Sequence, residues 1–106
     1  MLHLPVNSRW YLMIELGIKT EEYREINDYW RKRLMEDPLQ VIYPFGDITQ
    51  ANPNIRFKDF DGVRMRRGYT KTFMDFAKPV IRIGRGNPEW GAPKDRDVFI
   101  IKLKRL

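Results

Sequence analysis

Residues 17–27 read GIKTEEYREIN, from Gly17 to Asn27, and two periods compete in them. Five of the seven residues from Lys19 to Glu25 are charged, with the signs mixed. As a helix, the stretch puts Tyr23, Ile26, Trp30 and Leu34 on one face, with Thr20 as cap and Glu21 and Glu22 in the first turn. As a strand, it puts Thr20, Glu22, Arg24 and Ile26 on one face and Lys19, Glu21, Tyr23 and Glu25 on the other. Periodicity leans slightly to the helix. The choice decides whether the charges form a solvated cluster or project from a sheet.

The flanking segments are easier. Residues 8–16 (SRWYLMIEL) predict a helix, with Asn7 or Ser8 as cap and Gly17 where a C′ glycine belongs. Leu2–Val6 (LHLPV) predicts a first strand. Residues 28–37 are helical on either reading of the central stretch, and Pro38 stops them. Residues 39–43 (LQVIY) read as a strand and 44–54 (PFGDITQANPN) as a long loop. In residues 60–69, Val63 and Met65 alternate with Arg64 and Arg66, which predicts a strand with a basic outer side. TKTFMDF, 70–76, predicts one or two helical turns before Pro79. VIRIG and DVFIIKLKRL predict further strands, joined by the loop GRGNPEWGAPKD. The total is five or six short strands and two or three short helices. That is a single small α+β domain over residues 1–106, with a mostly antiparallel, barrel-like sheet.

Composition narrows the function classes. The chain has 106 residues, 42% hydrophobic, with 3 Trp, 5 Tyr and 6 Phe, which argues against disorder. It has no cysteine, so disulfides and thiolate metal sites are excluded. No apolar run approaches the ~20 residues of a membrane span, and the N-terminus lacks a signal-peptide pattern. The expectation is an intracellular, cytoplasmic, soluble protein. The net charge is +6 and the pI about 9.8, compatible with an anionic partner.

Few residues point to catalysis. His3 is the sole histidine, so neither a zinc spacing nor a supported Ser-His-Asp set exists, and no metal or cofactor is expected. GRGNPEWG lacks the Lys-Ser/Thr ending of a phosphate loop and opens no helix, so it reads as a turn. Trp90 within it either stacks on a base or forms a lid over the core. Residues 56–71 interleave six basic residues with Phe57, Phe60 and Tyr69. Cations for phosphates and rings for bases are what an RNA-binding surface needs. The plain alternative is the solvated side of a sheet.

Gly17, Lys19, Glu22 and Arg24 spell G-x-K-x-x-E-x-R. This resembles the signature of the ASCH domain, a family with a β-barrel fold similar to the PUA domain. The preceding helix, the aromatic helix DYWRKRL, the VRMRRGY strand, the EWGAP turn and the final apolar strand extend the resemblance over most of the chain. In the family the motif lies on a strand beside a cavity, so the resemblance implies a strand over 20–25 and a second helix from Asn27 or Asp28. It implies that Glu22 and Arg24 face the barrel interior as a pair, with Lys19 at the mouth. It further implies binding of RNA or a nucleoside-like ligand by Gly17, Lys19, Glu22, Tyr23, Arg24, Tyr69 and Trp90. Arg64, Arg66, Arg67 and Lys71 would hold backbone phosphates. One branch of the family is an amidohydrolase of N4-acetylcytidine that uses the motif lysine and a threonine nucleophile. This chain has Glu22 at that threonine's position, which leaves Lys19, Thr20 and Glu22 as catalytic candidates if it is an enzyme. A single-strand RNA nuclease using Lys19, Tyr23 or Tyr69 is a further possibility. A protein-interaction surface around Trp30 is a distant third.

Overall fold

The computed structural model describes residues 1–44, 46 and 50–106. Two helices and six strands are described: β1 (Leu2–Val6), α1 (Ser8–Glu15), β2 (Glu21–Arg24), α2 (Asp28–Leu34), β3 (Val63–Arg67), β4 (Phe73–Phe76), β5 (Val80–Gly84) and β6 (Val98–Lys102). A short 3-10 turn, Pro88–Trp90, lies between β5 and β6. The α+β class and the mostly antiparallel pairing agree with expectation. The strands form two three-stranded sheets, ordered β1-β3-β4 and β2-β6-β5, and no described strand pairing closes them into one barrel. Among the described strands, only β1 and β3 run parallel.

The central stretch is a strand. Glu21, Glu22, Tyr23 and Arg24 pair with Lys102, Ile101, Ile100 and Phe99. The helical period loses because α1 already ends there. Asn7 caps α1 by accepting from the Trp10 amide, and Gly17 turns the chain at φ 78°, a left-handed conformation that costs glycine little. The new cap is Asn27, which accepts from the Trp30 amide at 2.9 Å and starts α2.

Leu2, Leu4 and Val6 from β1 meet Val63 and Met65 from β3, Phe76 from β4, and Phe99 and Ile101 from β6 in the main core. Tyr11 and Ile14 bring α1 onto it, and Leu34 brings α2. On the other face of β6, Val98 and Ile100 join Tyr23 and Ala92 in a smaller cluster, with Trp90 packed against it. The β2-β6-β5 sheet is therefore apolar on both faces near β6, which explains why VFIIK carries four consecutive buried residues.

Three expectations fail. The helix from Asp28 ends at Leu34, three residues before Asp37; Met35 is extended and bridges to Phe57. Residues 39–43 are not a strand. The Asp37 carboxylate accepts from the Leu39 amide, and Arg31 donates to the carbonyls of Pro38 and Gln40, which folds the segment into turns. Leu39 is consequently 87% exposed and only Ile42 reaches the core. The expected helical turns in 70–76 are β4, which forms a hairpin with β3 through a turn at Gly68, φ 59°. Cross-strand pairing of Arg64 with Asp75 outweighs the local helical preference. Of the expected loop over 44–54, positions 45 and 47–49 lie outside the described residues.

Candidate functional site

β1 and β2 are edge strands of different sheets, and Arg24 spans the seam between them. The Leu2 amide donates to Gly62 and the Val6 carbonyl accepts from Gly68, so the even-numbered residues of β1 bond toward β3. His3 and Pro5 therefore turn their backbone groups to the open edge. Pro5 sacrifices no ladder bond there. Its carbonyl accepts from Arg24 Nη2 at 2.8 Å, and the His3 carbonyl accepts from Arg33 Nη2 at 3.4 Å. Both guanidinium groups lie against Trp30, Arg24 at 5.1 Å and Arg33 at 5.5 Å from the ring centre.

Arg24 is the outer member of a buried line of charges. Glu22, 4% exposed, forms ion pairs with Lys19, Nζ to Oε1 at 3.2 Å, and with Arg24, Nη1 to Oε2 at 3.3 Å. Glu22 Oε1 also accepts from the Tyr23 amide at 3.2 Å. Lys19 is 1% exposed. Its ammonium donates to the Trp90 carbonyl and lies 5.0 Å from the Trp10 ring centre and 4.7 Å from that of Tyr23. Aromatic faces stabilise a desolvated ammonium. Burial still lowers the Lys19 pKa, against the opposing pull of Glu22. Lys19 is thus enclosed, not at a mouth as the family resemblance implied. The line carries two cations and one anion.

Loop 85–97 covers the far side. The Tyr23 hydroxyl donates to Glu21 Oε1 at 2.8 Å and accepts from the Asn87 amide at 3.0 Å. Burial, followed by smaller effects that include the Glu21 carboxylate, pushes Tyr23 up to about 12. A Cβ on Gly86 would lie 2.6 Å from both the Tyr23 ring and Ala92, and one on Gly91, φ 99°, would lie 2.9 Å from the Trp10 ring. These two glycines let the loop lie flat on the aromatic walls around Lys19.

A groove opens beside this cluster. A cavity of about 160 Å³ is lined by Tyr23, Arg24, Glu25, Gly91 and Arg96 among others. It adjoins one of about 260 Å³ lined by Glu25, Ile26, Tyr43, Arg85, Arg96 and Asp97. Together they reach the lower end of the size range of small-ligand pockets. Asp97 accepts from the Tyr43 hydroxyl at 2.7 Å and from Arg85 at 3.2 Å. Burial and the Asp97 hydrogen bond push the Tyr43 hydroxyl to about 12, so it stays a donor at neutral pH. Among the described residues, Arg96 pairs only with Asp95, at 4.0 Å. The groove therefore offers arginine donors, two phenol rings and the apolar side chain of Ile26.

The structure joins some of the expected site residues and separates others. Lys19, Glu22, Tyr23, Arg24 and Trp90 are together; Tyr23 and Arg24 line the groove, while Lys19 and Glu22 stand behind it. Trp90 contributes its carbonyl, and its ring is half-buried against the second cluster. Gly17 serves the backbone turn. Thr20 is exposed, and its carbonyl accepts from the Leu103 amide. Arg64 is committed to Asp75 through two hydrogen bonds of 2.8 and 2.9 Å and lies over Phe73. Arg66 also lies near Phe73. These two, with Lys71 and the 98% exposed Tyr69, belong to the other sheet and its hairpin. Sequence reading missed Tyr43, Arg85, Arg96 and Asp97, because they converge from segments some fifty residues apart without a local motif.

Searches against protein-family models, curated proteins and solved structures find no match to this chain.

Proposed function

We propose that the chain is an ASCH-type domain, related to the PUA fold, that receives a nucleotide of RNA in the groove beside Arg24. The observation that carries this reading is the buried Lys19–Glu22–Arg24 line in G-x-K-x-x-E-x-R spacing, next to that groove. Three charges taken out of water are weak evidence for stability and better evidence for a site. The two sheets, with Arg24 bridging their edge strands, are compatible with an opened relative of the PUA barrel. Glu22 holds Arg24 in place, Arg24 and Arg96 supply positive charge, and Tyr23 or Tyr43 offers a ring for stacking. Such a partner also suits the +6 charge and a cytoplasmic setting.

The second reading is a small amidohydrolase acting on a nucleoside such as N4-acetylcytidine. The lowered pKa of Lys19 favours it, since an uncharged amine is the competent base or nucleophile. Against it, Glu22 stands where that branch has its threonine, the nearby Thr20 is exposed, and Lys19 lies beneath the Trp90 carbonyl.

Fluorescence anisotropy of a labelled single-stranded RNA at ~50 mM salt tests the first reading, with a Kd of roughly 1–100 µM expected and weakening on Arg96→Ala. Flat titrations would remove it. Release of acetate from N4-acetylcytidine, lost on Lys19→Ala, would promote the second.

A further inference from the structure

α1 carries apolar side chains on two faces, and the fold uses only one of them. Tyr11 and Ile14 enter the core. Leu12 and Leu16 stay 52% and 64% exposed, and Ile18, just past the turn at Gly17, is 55% exposed. At ~100° per residue, Leu12 and Leu16 share one stripe of the helix, about 150° round from the midpoint of Tyr11 and Ile14. That stripe points away from the domain. A leucine exposed singly needs no explanation, but neighbouring aliphatics on one stripe form a patch of the kind that marks an interaction surface.

The charges on the same helix indicate what covers the patch. Arg9 and Glu15 are both exposed, and neither makes an ion pair among the described residues. They lie symmetrically about Leu12, one three residues before it and the other three residues after. A second copy of the helix, laid antiparallel about a two-fold axis at Leu12, sets Arg9 of each copy opposite Glu15 of the other. Leu12 then meets its own counterpart, and Leu16 comes to Ser8 of the second copy. Ser8 stands at the rim of a cavity of about 320 Å³, lined also by Leu12, Glu15, Arg67 and Thr72. Each Leu16 thus approaches a hollow in the other copy. One pattern serves both copies at once, which is the condition for an isologous contact. An unrelated partner would have to supply base, aliphatic and acid in the mirrored order that this face already holds.

We propose that the outer face of α1 is a self-association surface: two copies of the chain pair antiparallel through Leu12 and Leu16, with Arg9 of each meeting Glu15 of the other. A helix of 8 residues keeps the contact well below the roughly 1,600 Å² of a standard interface. The dimer is therefore weak and forms as concentration rises. Its ion pairs lie at the rim, where charge sets partner and orientation more than affinity. No residue of this surface lines the groove beside Arg24, and the proposal does not depend on the reading of that groove.

Sedimentation equilibrium of the full chain tests this, at concentrations from roughly 20 µM to 1 mM, where a weak contact populates a dimer. The unaltered chain is expected to pass from monomer toward dimer across that range. Leu12→Glu changes an exposed side chain and keeps helix propensity, so the variant stays folded, and it should raise Kd at least ~tenfold. Arg9→Glu and Glu15→Arg should each raise Kd several-fold, because each sets like charges against one another. The protein carrying both changes has the same pattern reversed, and its Kd should return to within about twofold of the original. Arg56→Glu, the same change of charge at an exposed position away from α1, should leave Kd unchanged. A monomer at every concentration, a dimer that tolerates Leu12→Glu, or a double variant no better than the two single ones overturns the proposal.

Discussion

Glu22 holds one negative charge between two cations, and its neighbours provide controls within the same strand. Glu21 is half-buried, accepts from the Tyr23 hydroxyl and pairs with Arg82 at 3.4 Å. Glu25 is exposed. Removing a buried partner leaves an uncompensated charge, so Glu22→Ala is expected to cost ~3–5 kcal/mol. Glu21→Ala should cost about 1 kcal/mol for its hydrogen bond, and Glu25→Ala less than ~0.5 kcal/mol. Chemical denaturation of the three variants checks the ranking; equal, small effects would mean a solvated cluster. Replacing Glu22 and Arg24 together by apolar residues still strands Lys19, which bonds to the same carboxylate. Recovery of most of the loss should therefore need Lys19→Met as a third change. The sequence shows these three residues as a spacing. It does not show that Lys19 would be the most enclosed of them, because its chamber is closed by Trp10, across the turn at Gly17, and by Trp90, far along the chain.

Among the elements, loop 85–97 does the most for the site. Its glycines fit because nothing else would: a Cβ at Gly86 would sit 2.6 Å from the Tyr23 ring. Gly86→Ala must push the loop off Tyr23, disturb the Asn87–Tyr23 hydrogen bond and loosen the carbonyl over Lys19. A cost of ~1–3 kcal/mol is expected, together with altered near-ultraviolet circular dichroism from Trp10 and Trp90. An unchanged spectrum and melting temperature would show that the loop does not clamp the site. Elements with a strong local signal were legible: Asn7 and Gly17 bracket α1, alternation marks β3, and a continuous apolar run marks β6. The misreadings share a cause. LQVIY is apolar enough for a strand, yet Arg31 and Asp37 tie its backbone into turns. TKTFMDF is short enough for helical turns, yet β3 offers it a partner in register. In both, contacts from outside the segment override its own propensity. The G-x-K-x-x-E-x-R strand is the converse case, where periodicity leaned the wrong way and only the resemblance chose the strand.

At the scale of the whole molecule, the +6 charge says less than its distribution. Many of the basic side chains are already occupied: Arg64 by Asp75, Arg82 by Glu21, Arg85 by Asp97, and Arg31 and Arg105 by backbone carbonyls. Such groups gain little from a phosphate, because the new contact must first release the old one. Arg96 lies at the groove with only a 4.0 Å contact to Asp95, and it is the better placed of these to displace a counterion. On the proposed RNA-binding reading, affinity for single-stranded RNA should fall with salt along a log–log slope of about −0.7 per phosphate contacted. Arg96→Ala should reduce that slope by about 0.7, while Arg64→Ala should leave it unchanged despite removing an equal formal charge. Titrations at several salt concentrations measure both slopes. If the two substitutions lower the slope alike, binding follows net charge over the surface, and the groove has no special part in it. If only Arg96 matters, the contact is local, and a phosphate of the bound strand lies next to the Glu25 and Tyr23 end of the groove.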